Sequence, residues 1–169
     1  MILSIFTFVH VGISLLGILS GLVVVFGMIS GKRLDGWTRF FLSTTVLTSV
    51  TGFFFPFKGI TPGDVVGILS LLVLALAILA RYRRQLAGGW RQTYVISAVV
   101  ALYFNVFVLV VQLFEKVPAL TALAPKQSEP PFVVTQVVVM ALFVALAIAA
   151  VKKFREQIST LRTDIVRAA

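Results

Sequence analysis

Apolar residues fall into five long blocks separated by short polar segments. The blocks run from Ile2 to Ile29, from about Thr38 to Phe57, from about Pro62 to Ala80, from about Thr93 to Phe114, and from Phe132 to Val151. Each is close to the roughly 20 apolar residues that an α-helix needs to cross a bilayer. Backbone groups in lipid must be satisfied within their own segment, as a helix does. The pattern predicts an all-α integral membrane bundle of five transmembrane helices over residues 1–151. The second and third blocks also admit a single re-entrant hairpin, but Lys58, Pro62 and Asp64 between them read as a surface turn.

The ends of the blocks carry helix punctuation. Thr61-Pro62-Gly63-Asp64 offers a capping threonine, a proline at the first helical position and an acid three residues after the cap. Ser128, Pro130 and Pro131 mark the start of the fifth helix, Ser30-Gly31 ends the first, and Gly88-Gly89 separates the third from the fourth. The longest loop, from Glu115 to Pro131, is apolar for a loop at Val117, Leu120 and Leu123. It is expected to lie on the membrane surface or to cover the outer mouth of the bundle. In the tail, residues 152–169, Phe154, Ile158, Leu161 and Ile165 recur at helical spacing among basic residues. This predicts an amphipathic extension whose basic face meets anionic lipid, with an oligomerisation helix as the alternative.

Composition agrees with lipid as the solvent. Of the 169 residues, 59% are hydrophobic and 12% charged, against about 25% charged in soluble domains; the mean hydropathy is +1.05. The net charge of +9 would suggest nucleic acid in a soluble protein, but here the cations punctuate apolar runs and read as signals of topology. Lys32, Arg33, Arg39, Arg81, Arg83, Arg84, Arg91, Lys152, Lys153, Arg155, Arg162 and Arg167 fall on one side; Lys58, Lys116 and Lys126 fall on the other. The expected orientation has the N-terminus outside and the C-terminus cytoplasmic. Trp37, Tyr82, Trp90 and Tyr94 lie near the basic boundary, where amphipathic rings settle. Phe53, Phe54, Phe55 and Phe57 crowd the other boundary around Pro56 and are expected to face lipid. With no cysteine, disulfides, iron–sulfur clusters, a lipoprotein anchor and thiolate chemistry are excluded. A cleaved signal peptide is not expected, because the first apolar block has no basic region before it and runs too long.

Polar residues inside the apolar blocks are the candidates for function. His10, the only histidine, shares a helix face with Ser14, Gly17, Gly21 and Met28. Gly17 and Gly21 form a small-xxx-small pair that lets another helix approach, and Ala141, Ala145 and Ala149 read as a second packing seam. If the first helix begins at Ile2, His10 lies about 12 Å below the outer boundary, and Thr48 and Asn105 reach about the same level. Gln112 follows Asn105 by seven residues, and Gln136 lies near the outer start of the fifth helix. His10, Thr48, Asn105, Gln112 and Gln136 are therefore expected to ring an outward-facing polar cavity with Glu115 at its mouth. The competing reading is interhelical hydrogen-bond glue, worth about 0.6 kcal/mol per bond on average. The hydroxyls of the second helix, Ser43 to Thr51, read as close packing or, alternatively, as a hydrophilic lining.

Inventory narrows the chemistry. One histidine cannot ligate a haem from both faces within one chain, zinc lacks ligands, and no acid lies at the depth of His10 for a catalytic triad. No phosphate-binding or dinucleotide fingerprint occurs. All six acids lie in loops, boundaries or the tail, which weighs against an ion-coupled pump.

The runs Phe8-Val-His10-Val-Gly12-Ile-Ser14-Leu-Leu-Gly17, Leu47-Thr-Ser-Val-Thr-Gly52-Phe-Phe-Phe-Pro56 and Gln127-Ser-Glu-Pro-Pro-Phe132 resemble those of small multi-pass bacterial inner-membrane proteins with no assigned activity. The resemblance covers most of the chain; it implies an inner-membrane location and assigns no catalytic or binding residue. The expected function is a non-enzymatic accessory subunit or small oligomer. Its partners would be the lipid bilayer and either itself or another membrane protein, not nucleic acid, and its outer polar cluster would hold a ligand such as a quinone or haem edge. The alternative is an oligomeric transporter or channel for a small solute. A membrane enzyme with His10 as base is the third reading, and it lacks a visible partner group.

Overall fold

The computed structural model describes residues 2–56 and 62–168, and the side chains of residues 3–56 and 62–154. All regular structure among them is helical: α1 Ile2–Ile29, α2 Asp35–Gly52, α3 Pro62–Ile78 with a π-helical turn at Leu79–Arg83, α4 Trp90–Lys116, the short α5 Pro118–Leu123, and α6 Pro130–Ala168. Thr61 of the expected cap, Phe57 and Lys58 lie outside the described residues. The backbone of the tail continues α6 as helix; its side chains, including Ile158, Leu161 and Ile165, are also outside them.

Among the described residues, four helices are long and apolar enough to cross a membrane: Leu3–Ile29, Pro62–Arg83, Trp90–Lys116 and Pro130–Phe154. The second expected span falls short because α2 begins at Asp35, carries Arg39 one turn on, and is rich in hydroxyls. It still travels through the bundle. His10 pairs with Thr51, Gly17 lies against Thr44 and Thr45, and Gly21 lies against Phe41. As the α1 number falls the α2 number rises, so α2 runs antiparallel along α1 for about 27 Å. The remaining cross-contacts alternate the same way: Asp35 with Arg81, Arg81 with Tyr94, Tyr103 with Phe143, Phe114 with Phe132. The chain start and Phe154 therefore lie at opposite ends of the bundle.

Helix α4 is the central element and touches α1, α2, α3 and α6. Half of its most apolar 18-residue stretch is buried, against 6% for α6, which leans on the bundle along one edge. The core gathers Val24 and Val25, Phe41, Leu74, Tyr94, Ala98 and Leu102, with Ala150 and Phe154 from the inner edge of α6. The outer loop folds back on a second, smaller cluster. Ala124 is buried with Val110 and Phe114, with Leu120 packed against them, and the Thr121 hydroxyl donates to the Phe114 carbonyl at 2.8 Å. Val117 and Leu123 stay exposed.

The bundle is inside-out relative to a soluble one. On α2 the buried positions include Thr38, Thr45, Thr48 and Ser49, while Trp37, Phe40, Leu47 and Val50 are exposed. The hydroxyls turn inward, where Ser49 and Thr44 donate to carbonyls of the preceding turn at 3.0 and 2.8 Å. A chain that exposes its large apolar side chains and buries its small polar ones is built for lipid. The protein is a multi-pass helical membrane protein on this arrangement and on its four long apolar helices.

Two local devices shape the basic end. Gly31, at φ 68°, closes α1 with the paired bonds Lys32 N–H to the Gly27 carbonyl and Gly31 N–H to the Met28 carbonyl, at 2.7 and 3.0 Å. The next residues turn back so that Leu34 packs on Gly27, where a Cβ would meet Leu34 Cδ1 at 2.6 Å. At the end of α3 the helix does not stop at Ala80 as the apolar pattern suggests. It widens into the π turn, with Arg84 N–H donating to the Leu79 carbonyl at 2.9 Å. Gln85 and Leu86 then take left-handed conformations at φ 49° and 59°, a cost that the burial of Leu86 helps to offset. π turns of this kind often mark functional positions.

Candidate functional site

The residues expected to ring one outer cavity separate into distinct pairs. His10, half-buried, places Nδ1 2.8 Å from the Thr51 hydroxyl. That hydroxyl has one proton, and it lies 2.7 Å from the Leu47 carbonyl. The proton is best assigned to that carbonyl, so His10 Nδ1–H donates to Thr51 and Nε2 carries the lone pair. The Phe55 ring stands edge-on to the imidazole at 5.1 Å. Ser14 is half-buried one turn along α1.

A second group lies deeper. Asn105 Nδ2 on α4 donates to the Thr45 hydroxyl at 3.4 Å, and both residues are buried. Gly17 faces this meeting: a Cβ there would sit at ordinary contact distance, 3.4 Å from the Thr44 and Thr45 hydroxyls and 3.5 Å from Asn105 Nδ2. One turn on, Gly21 is tighter, since a Cβ would come within 2.6 Å of Leu102 and 2.8 Å of Phe41. Thr48 is buried on the same side of α2, with its oxygen unpartnered among the described residues.

Gln136 belongs elsewhere. Its amide donates to the Phe107 carbonyl at 3.3 Å, tying α6 to α4. Gln112 is exposed and donates to Glu115 at 3.4 Å. Gln112 follows Asn105 by seven residues on α4, yet Asn105 is buried and Gln112 is exposed. Ala141 and Ala145 are exposed and Ala149 is half-buried; α6 meets the core instead through Phe143, Leu146, Ala147, Ala150 and Phe154.

The cleft the structure does show lies at the other end, among residues the sequence pattern assigned to topology. Val24, Met28, Lys32, Arg33, Leu34, Thr38, Arg81, Tyr94 and Phe154 line a narrow cleft, partly open to solvent, with about 10 Å3 of accessible space, room for about one water molecule. Arg81 is its central group. The side chain is 4% exposed and pairs with the half-exposed Asp35 carboxylate, which also accepts from Arg33 Nε at 3.1 Å. The guanidinium lies 5.0 Å from the centre of the Tyr94 ring and 5.8 Å from that of Tyr82, both within cation–π range. Tyr94 is fully buried beside Thr38 and Arg81, yet its hydroxyl makes no hydrogen bond of good geometry among the described residues.

A signal for Arg81 was present. Ser70, Leu74, Ala77 and Arg81 share one face of α3, and all four are buried. The run Arg81, Arg83, Arg84 hid it, because a cluster of cations after an apolar block reads as one topological signal. Arg83 and Arg84 do point out, Arg84 lying 5.0 Å over the Trp90 ring.

No family model matches the chain, and neither a characterised protein nor a solved structure is similar to it at a significant level.

Proposed function

We propose that the protein is a non-enzymatic membrane subunit that works by assembling with a second membrane chain, either another copy of itself or a different protein. In this reading α2 completes a fifth crossing, the basic end faces the cytoplasm, the N-terminus faces the opposite side, and the membrane is the bacterial inner membrane. The alternating direction of the five long elements and the concentration of cations at one end support that orientation.

The observation that carries the assembly is α6. It crosses with 6% of its most apolar stretch buried, and the edge it leaves open holds Ala141 and Ala145 among Val137, Val138, Leu142 and Val144. Small residues at intervals of four let a second helix come close, where packing rather than hydrophobicity drives association in lipid. The inner polar pairs then act as register pins. His10–Thr51 and Thr45–Asn105 hold α1, α2 and α4, and Gln136 holds α6. A solute pathway has less support, because the hydroxyls of Thr44, Ser49 and Thr51 are committed to helix carbonyls.

The cysteine-free sequence makes the test clean. Single substitutions Ala145→Cys and, on the exposed face of α3, Leu72→Cys are oxidised in intact membranes. Self-assembly through α6 yields a disulfide-linked dimer from Ala145→Cys and little from Leu72→Cys. A heteromeric partner yields instead a cross-link of defined larger mass with a bifunctional maleimide. A chain that stays monomeric and partnerless in both experiments refutes the proposal. Maleimide labelling of a cysteine placed after Arg33, reachable only from the cytoplasmic side, checks the orientation.

A further inference from the structure

We infer that the turn from α3 to α4 seats the headgroup of an anionic phospholipid on Arg83 and Arg84, with an acyl chain laid along the outside of α3. Lipid meets this face in any bilayer, so its occupant is a lipid; what the residues select is the charge of that lipid. The seat does not depend on assembly through α6.

The face is a stripe with a cationic end. Leu72, Leu76 and Leu79 follow at helical spacing on one side of α3, and all three are exposed. Below Leu79 the helix widens, because the Arg84 N–H donates to the Leu79 carbonyl in the i→i+5 pattern. That bond sets Arg84 one turn beyond Leu79 with Arg83 next to it, and both side chains are exposed. Leu86, buried just after them, anchors the turn in the core. From Leu72 to Arg83 the stripe covers about 15 Å, half of a hydrocarbon core of about 30 Å. It runs from the bilayer interior to the basic surface, apolar first and charged last, which is the order of parts in a phospholipid.

The charges at its end are unanswered. Between Asp64 and Glu115 the chain has no acid. Asp35, the acid at this end among the described side chains, is held by Arg33 and Arg81. Arg83 and Arg84 make no ion pair among the described residues. They repel each other, and a phosphate between them removes that cost. The Arg84 guanidinium lies 5.0 Å from the centre of the Trp90 ring, which orients its planar fork of donors. Exposed Tyr82 and half-buried Trp90 add amphipathic rings at headgroup depth. A zwitterionic headgroup brings an ammonium that two arginines disfavour; an anionic one does not.

The full-length protein, in an uncharged maltoside detergent, is titrated separately with dioleoyl phosphatidylglycerol and dioleoyl phosphatidylcholine, and bound lipids are counted by native mass spectrometry. The first phosphatidylglycerol should bind about tenfold more tightly than the first phosphatidylcholine, the gap narrowing as salt rises. Arg84→Gln should remove most of that preference, and Arg83→Gln with Arg84→Gln should remove all of it. Arg84→Lys keeps the charge but not the fork and should weaken the first phosphatidylglycerol several-fold. Lys152→Gln, an exposed cation of α6 at the same end, should change nothing. All these positions are exposed, so each lipid-free variant should unfold at the temperature of the native chain. Equal affinity for the two lipids makes the inference wrong. So does a loss in Lys152→Gln as large as in Arg84→Gln, which would make the attraction a diffuse property of the basic end.

Discussion

The two ends of the bundle solve the problem of polar groups in lipid in opposite ways. At the N-terminal end the polar side chains are neutral and meet in pairs: His10 with Thr51, Asn105 with Thr45, Gln136 with a backbone carbonyl. Each of these side chains has a hydrogen-bond partner, although Gln136 Oε1 and the nearby Thr48 hydroxyl have none among the described residues, and Gly21 sets the closest helix approach. At the basic end one charged side chain, Arg81, is buried between helices and held by a carboxylate that is itself half in water. A neutral pair contributes a fraction of a kcal/mol and a register. A buried cation costs several kcal/mol unless its partners are in place. The first end reads as construction, and the second as a place where the molecule tolerates an expense.

The sharpest test of that contrast is the Arg81–Asp35 pair. Asp35→Ala leaves a buried cation without its counter-charge and should destabilise the bundle by about 2–3 kcal/mol, below the range for a fully buried pair because Asp35 is half-exposed. Arg81→Met should cost less than Asp35→Ala, since it leaves only a half-exposed carboxylate that water can reach. Unfolding titrations in mixed detergent micelles measure both. The opposite order would show that the burial of Arg81 is not what makes this end expensive.

Next in size is the glycine seam. Gly21→Val drives a side chain into Phe41 and Leu102 and should cost about 1–3 kcal/mol. Gly17→Ala meets its neighbours at ordinary contact distance and should change stability by less than about 1 kcal/mol. Equal effects in the same titration would mean that the helices do not approach as closely at Gly21 as the structure has them.

The neutral pairs should give less. A double-mutant cycle on Thr45→Val and Asn105→Leu is expected to return a coupling of about 0.6 kcal/mol. A value of several kcal/mol would promote the N-terminal end from construction to a site under tension.

The smallest effect concerns the turn that leads into α6. Glu129 accepts from the Lys126 and Ser128 amides at 3.1–3.3 Å. Slight desolvation pushes its carboxyl up, but the amides of Glu129, Ser128 and Lys126 and the Lys126 charge outweigh this and hold it below its ordinary value. A depressed folded value contributes stability above the unfolded pKa and loses it as pH falls through the folded one. Hydrogen exchange at Lys126 and Ser128, corrected for the intrinsic rate, should therefore show protection that fades only on acidification below the ordinary range of a glutamate carboxyl. Glu129→Gln should show the same weak protection at every pH.

Much of this architecture can be read from the chain alone, and the reasons differ by element. Four of the five apolar blocks appear as long apolar helices, because hydropathy over 20 residues reports directly on the solvent a helix requires. The block at α2 was harder to read. Its inward hydroxyls and its start at Asp35 lower its hydropathy although it travels the same path through the bundle. Gly17 and Gly21 were recognisable as points of close approach from their spacing, but what approaches them was not. The ring of polar residues failed as a single cavity because depth along a helix is only one coordinate. Asn105 and Gln112 lie seven residues apart on α4, yet one meets Thr45 of α2 and the other is exposed and bonded to Glu115.

Composition and periodicity by themselves determined the solvent, the helical class and the uneven placement of charge, since each is a sum over many residues and survives small errors of position. Only the tertiary structure decided which arginine of three turns inward, which alanines stay outside, and which hydroxyl is left without a partner. Those outcomes depend on how helices rotate against one another and on the π turn that ends α3, and a rotation of one residue exchanges an inner face for an outer one.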